Sequence, residues 1–327
     1  MNTFSTCARA LFAAMLLVPA GYTYAQKNYP SKPIRFIVPF PPGGSTDPMA
    51  RMSASKLSEL WGQQLVVDNR PGGNTVIGTE AGAKAAADGY TILLASFTFV
   101  TGPSLIPHLP YHPVKDFDPM ATIAKSRYVL VVNPAVAANN LKEFITLAKA
   151  RGEQFNYGSS GVGSGVHLAG ALFNTQVGTK MQHVPYKGSG PLISELVGGQ
   201  VQLSFQIPIS AISLIKSGRL KAIAITGDAR FATLPQIPTF AESGMPGFQM
   251  QGLYGIVAPA GTPKTIIGKM SREMTGILAM PDILDYLARQ GMEPLITTPE
   301  AMAALIKSDI AKYAKIISDA GIPKIGG

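Results

Sequence analysis

The chain has 327 residues, more than one hydrophobic core usually organises, so two domains are expected. Its 46% hydrophobic and 14% charged residues exclude a disordered chain. The net charge of +9 comes from scattered basic residues with few aromatics between them, which argues against nucleic acid as a partner and leaves a mild attraction for small anions.

The first 25 residues form a separate object. Arg9 precedes an apolar stretch from Ala10 to Val18, Pro19-Ala20-Gly21 breaks it, and Thr23-Tyr24-Ala25 places small residues at a cleavage position. This pattern is a secretory signal peptide cut after Ala25, and its apolar run is too short to span a membrane. An exported, periplasmic protein is expected. Cys7 is the only cysteine and lies within the signal, ahead of the apolar run. The mature chain is therefore expected to form no disulfide, and the place of Cys7 argues against a lipid anchor.

Pro33 to Pro48, PIRFIVPFPPGGSTDP, reads as a strand, a Pro/Gly turn and a helix start. Ile34 to Val38 is the strand. Pro42, Gly43 and Gly44 turn the chain, Ser45, Thr46 or Asp47 caps the helix, and Pro48 suits its first turn. Such a turn aims unpaired N–H groups and the positive end of a helix dipole at one point, which favours an anion. Taken alone, it reads first as an ordinary strand-to-helix turn.

Downstream, Leu65–Val67 and Thr91–Ala95 continue as strands, separated by a helix from Asn74 or Thr75 to Ala86, and this alternation argues for parallel βαβ units. Phe97 to Phe117 is Pro-rich and lacks helical periodicity, so a long loop is expected there. The first crossing between domains falls near Lys125 to Arg127. The second domain follows: a helix at 141–151, a strand at 155–157, and the Gly/Ser turn of YGSSGVGSGVHLAG (157–170) opening another helix. After it come a strand at 181–184, the turn VPYKGSGP (184–191) with its helix, a strand at 201–205, a helix at 209–216 and a strand at 220–226. GLYGIVAPAG (252–261) returns to the first domain, and three helices beginning near Pro263, Pro281 and Pro299 finish the chain. Residues 26–126 with 252–327 thus form one domain and 127–251 an inserted second one. Two crossings make a hinge, and a cleft between hinged lobes is where a ligand sits.

Enzyme signatures mostly fail. Val162 stands where the last Gly of a nucleophile elbow should be, and no acid follows the glycines at 161, 163 and 165 at the distance a dinucleotide fingerprint expects. Pro107, Pro110 and Pro113 rule out the helix that would converge His108 and His112 on a metal, so neither metal nor cofactor is expected. His167, in the first turn of a helix, is either a ligand contact or a satisfied structural histidine. Tyr186 faces either core or cleft, and Lys187 attracts a carboxylate as a point charge or simply faces solvent. The collective signal is stronger. The turns at Pro42–Asp47, Ser159–Ser164 and Tyr186–Gly190, with the loop Ser96–Thr101, gather Gly and Ser/Thr at the carboxyl ends of strands, where α/β sheets bind ligands. This suits reversible capture of a carboxylate and supplies no general base or nucleophile.

YPSKPIRFIVPFPPGGSTD (29–47), VDNRPGG, ADGYTILL, PYHPVKDF, YGSSGVGSGVHLAG, HVPYKGSGP and VGGQVQLSF (197–205), in that order, resemble the Bug or TctC-type receptors of tripartite tricarboxylate transporters. The resemblance implies a Venus-flytrap fold of two α/β domains that close over a small organic carboxylate and deliver it to membrane permease subunits. It also implies that the Pro42–Asp47 loop and Ser159, Ser160 and Gly161 grip one carboxylate. Thr98 falls in a third loop that varies with ligand, and Gly188 lies in the matching HVPYKGSGP turn. Gln206 stands where many relatives carry Asp, which leans away from an amino-acid ligand, and Phe99 replaces a common His, hinting at apolar or aromatic ligand character. A monomeric binding protein is expected, with a sensory receptor of the same fold, or less readily an enzyme acting on a carboxylate, as the alternatives.

Overall fold

The structure is a computed structural model and describes residues 29–43 and 46–325. The expected signal peptide, Gly44 and Ser45 lie outside the described residues.

The first half runs β1 (Ile34–Val38), α1 (Thr46–Trp61), β2 (Leu65–Asn69), α2 (Val76–Ala83), β3 (Thr91–Ala95), α3 (Phe97–Leu105), β4 (Phe117–Arg127) and β5 (Val129–Val132). Next come α4 (Leu141–Arg151), β6 (Asn156–Ser159), α5 (Gly165–Val177), β7 (Gln182–Pro185), α6 (Ser189–Gly198), β8 (Leu203–Gln206), α7 (Pro208–Lys216) and β9 (Lys221–Ile225). The chain ends with β10 (Gln251–Pro259), α8 (Lys264–Leu278), α9 (Pro281–Arg289), β11 (Met292–Pro294) and α10 (Pro299–Asp319).

Two sheets result: six strands ordered β11-β4-β10-β3-β1-β2, and five ordered β7-β6-β8-β5-β9. β1 pairs in parallel with β2 and β3, and β6 with β7 and β8, as βαβ crossovers require. Each sheet is the centre of an α/β lobe. In β1, Ile34, Phe36 and Val38 enter one core while Ile37 enters the other. Period-two alternation with both faces covered explains why this strand is apolar nearly throughout.

The first core lies under α1, α8 and α9. The second runs from the opposite face of the six-stranded sheet, past α3 and α10, into the five-stranded lobe. There Phe173, Phe205, Phe240 and Phe248 form a ring cluster, Phe240 and Phe248 being 4.2 Å apart.

The chain passes between sheets twice. β4 ends at Arg127 and β5 begins at Val129, with Tyr128 between; β9 ends at Ile225, and β10 starts at Gln251 opposite Arg127. Thr226 stitches the two crossings together. Its hydroxyl accepts from the Tyr128 N–H at 2.9 Å and donates to the Met250 carbonyl at 2.7 Å.

One expectation is corrected here. The loop expected from Phe97 to Phe117 begins instead with the helix α3, which runs to Leu105 and includes Pro103. Its Phe99, Val100, Thr101, Gly102 and Leu105 are buried. Having so much of its circumference covered, it shows no polar face and hence no helical periodicity.

Candidate functional site

The strand-end loops of both lobes meet at a cleft of about 130 Å³, smaller than the roughly 300–1,000 Å³ of drug-sized pockets. Five helices start on its wall: α1 at Thr46, α3 at Phe97 after Ser96, α5 at Gly165 after Ser164, α6 at Ser189, and α7 at Pro208 after Ile207. Each presents N–H groups that its own helix leaves unpaired and the positive end of its dipole. The side chains on the wall are hydroxyls, the Gln206 amide, the aromatics Phe40, Phe97, Tyr128 and Tyr254, and the aliphatics Val166 and Ile207; among the described residues no charged side chain lines it. An anion is held in such a place by neutral dipoles, at no cost of desolvating a counter-charge.

The structure brings together Thr46, Thr98, Ser160 and Gln206 on this wall. Other candidate residues support it from behind. Asp47 is buried and accepts from Arg51 Nε at 2.9 Å, Asn69 Nδ2 at 3.1 Å and the Gly43 N–H at 3.3 Å. Burial pushes its carboxyl up, but these hydrogen bonds and the Arg51 charge outweigh that and hold it below the usual carboxylate range. Asp47 therefore braces the β1–α1 turn. Pro42 and Gly43 are exposed and do not line the cleft.

Ser159 is fully buried. Its hydroxyl meets His183 Nε2 at 2.7 Å and accepts from the Gly161 N–H at 3.2 Å, so it shapes the loop instead of facing the cleft. Gly161, at φ 136°, has its carbonyl bound by the Ser164 hydroxyl at 2.8 Å. The Gly188 N–H reaches the Ser160 carbonyl at 3.3 Å and the Tyr186 N–H the Ser159 carbonyl at 2.9 Å, tying the β7–α6 turn to the β6–α5 turn. The side chains of Tyr186 and Lys187 are off the cleft wall, and Lys187 is exposed.

His167 also lies off the cleft wall. It is buried, accepts from the Gly163 N–H at 3.0 Å through Nδ1, and stacks on His183 with ring centres 3.7 Å apart. It is thus a structural histidine of the Gly/Ser loop. Phe99, expected to shape ligand character, is likewise buried away from the cleft, packed on Phe117 at 5.2 Å and on Tyr111 at 6.5 Å. That expectation is corrected.

Sequence reasoning passed over Phe40, Phe97, Tyr128, Val166, Ile207, Ser210 and Tyr254, whereas Ser96, Ser164 and Ser189 lie in turns it singles out. Ser189 and Ser210 sit in first turns of helices and were legible as such; Tyr128 lies in the crossing and had no motif. An added Cβ on Gly165 would fall inside the Tyr128 hydroxyl, so only glycine lets α5 begin against that ring. Burial pushes the Tyr128 hydroxyl up, which keeps it protonated and able to donate. Thr75 holds a left-handed φ of 78°, costly for a β-branched residue, and its hydroxyl donates to Thr98 Oγ1 at 3.2 Å.

A larger cavity of about 400 Å³ lies behind the Gly/Ser loop, between His167, His183 and the end of α10. Asp319 and the carbonyl end of α10 border it, a setting that repels anions. Among the described residues no cluster could hold a metal ion, and no helix is long and apolar enough to cross a membrane.

Two α/β lobes whose helix starts face a shared cleft define a solute-binding protein of the periplasmic type. The chain belongs to the tripartite tricarboxylate transporter family receptors, the TctC family, whose model matches residues 49–322. It is 39% identical over 296 residues to protein BugT of Bordetella pertussis, covering 90% of this chain and 91% of that one. Among solved structures it resembles the periplasmic binding protein BugD, with 33% identity and TM-score 0.78 over 91% of this chain and 100% of that one. It also resembles R. palustris Rpa4515, solved with adipate, with 32% identity and TM-score 0.82 over 91% of this chain and 100% of that one. The family is thus one of receptors, and BugD is a periplasmic binding protein.

Proposed function

We propose that this chain is exported through its first 25 residues and works in the periplasm as a monomer. There it captures a small organic carboxylate between a lobe of residues 26–126 with 252–327 and a lobe of 127–251, and delivers it to the permease of a tripartite tricarboxylate transporter. One observation carries this reading: five helix N-termini and a set of hydroxyls converge on a cleft that, among the described residues, has no charged side chain. Adipate in Rpa4515 shows that a relative of this fold takes a dicarboxylate. Within this reading Thr46, Thr98, Ser160 and Gln206 contact the ligand, and Asp47, Ser159, Gly161 and Gly188 hold the loops in shape.

A thermal-shift screen of the mature protein against mono-, di- and tricarboxylates, aromatic acids and amino acids tests it. A bound acid stabilises by mass action, by about 2.7 kcal/mol at a hundred times its dissociation constant, and is recovered chemically unchanged. Conversion of the acid, or stabilisation by uncharged solutes alone, would contradict the proposal.

A further inference from the structure

We infer that Gln206 turns its amide oxygen into the cleft to accept a hydrogen bond from the ligand, selecting hydroxylated carboxylates over their deoxy counterparts. The inference rests on the carboxylate reading above and asks what else such a ligand must carry.

The orientation of the amide follows from a chain of hydrogen bonds. The Ser204 hydroxyl donates to the Gly158 carbonyl at 2.8 Å, and a carbonyl can only accept. Ser204 has one proton, so its oxygen must accept the 2.8 Å bond from Gln206, and the atom facing it must be Nε2. A flipped amide would set two acceptors against each other. Oε1 is thereby fixed on the other side. Among the described residues no donor meets it, and it is not among the sealed, unpartnered buried atoms, Arg35 Nη2, Tyr111 Oη, Arg127 Nε and Thr233 Oγ1. Gln206 is only 1% exposed, and that opening is the cleft it lines.

A carbonyl oxygen held this way cannot adapt. The hydroxyls around it rotate to donate or accept, whereas Gln206 is locked by Ser204. A carboxylate oxygen placed against it would meet a second acceptor, and a methylene would leave it unpaired in a nearly dry site. A ligand donor satisfies it. Of the donors a small acid carries, an ammonium would need an anionic partner, and among the described residues no acidic side chain lines the cleft. A neutral hydroxyl meets the requirement, and a site built to bond a hydroxyl discriminates strongly against the analogue lacking it.

Calorimetric titration of the mature protein with matched pairs tests this: propionate and lactate, succinate and malate, glutarate and 2-hydroxyglutarate, with aspartate as the amino analogue. The expected result is a hydroxylated member bound about tenfold or more tighter than its deoxy partner, with Gln206→Met erasing the preference. Equal or tighter binding of the deoxy acids or of aspartate would overturn the inference while leaving carboxylate capture intact. A preference that survives in Gln206→Met would overturn the assignment to Gln206. Absence of binding by every acid would overturn the carboxylate reading and this inference together. The wild-type pairs decide the selectivity even if the variant does not fold.

Discussion

Residues behind the cleft set how its loops respond to acid. His167 and His183 stack face to face, one receiving the Gly163 N–H and the other engaged with Ser159. Burial, and secondarily the charge of His183, pushes His167 down to about 3, and burial pushes His183 down to about 4. A free histidine titrates near 6.5. Between about pH 6.5 and 4 the unfolded chain therefore binds protons that the folded chain refuses, so stability falls as the pH drops through this window. The slope reaches about 1.4 kcal/mol per pH unit for each histidine. Urea denaturation at pH 7.5 and pH 5 should show the loss, and His183→Asn should reduce it. A pH-independent midpoint would show that the pair is not held neutral.

At the scale of elements, the site is a matter of where helices begin. Gly165 lets α5 start against the Tyr128 ring, and Gly165→Ala forces one of them to move. Overpacking of this kind costs about 1–3 kcal/mol, and because Gly165 and Tyr128 both line the cleft, ligand affinity should fall with it. A variant with wild-type stability and affinity would show that the close approach is dispensable. β1 and β3 fall where expected because they are short apolar runs bounded by turn residues, and α4 because Asn140 caps its start and Gly152 follows its end. α3 was unreadable because burial erased its polar face. β11 escaped notice as a three-residue edge strand ending in Pro294. Among site residues, Thr46 and Ser160 follow from the turn pattern, but the direction of a side chain does not. Ser159 and Ser160 are neighbours in the chain, but Ser159 ends β6 and joins the loop network, whereas Ser160 opens the turn and lines the cleft.

For the whole molecule, the two crossings matter most. Arg127, buried at the end of β4, pairs with Glu293, bonds the Ala229 carbonyl and lies over the Phe231 ring at 4.5 Å, so one guanidinium touches both lobes. Thr226 ties Tyr128 to Met250 beside it. Thr226→Val would leave a buried N–H and a buried carbonyl unpaired, a loss of about 2–4 kcal/mol, measurable by urea denaturation; a loss under about 0.5 kcal/mol would show that the crossings are held otherwise. The central claim is that neutral dipoles at the meeting point of the lobes hold a carboxylate. Titration of the mature protein with its best acid and with the matching primary amide, followed by calorimetry, tests it most directly. The account predicts one acid per chain, with the amide bound at least about a hundredfold more weakly, near 2.7 kcal/mol. Equal binding of acid and amide would contradict it.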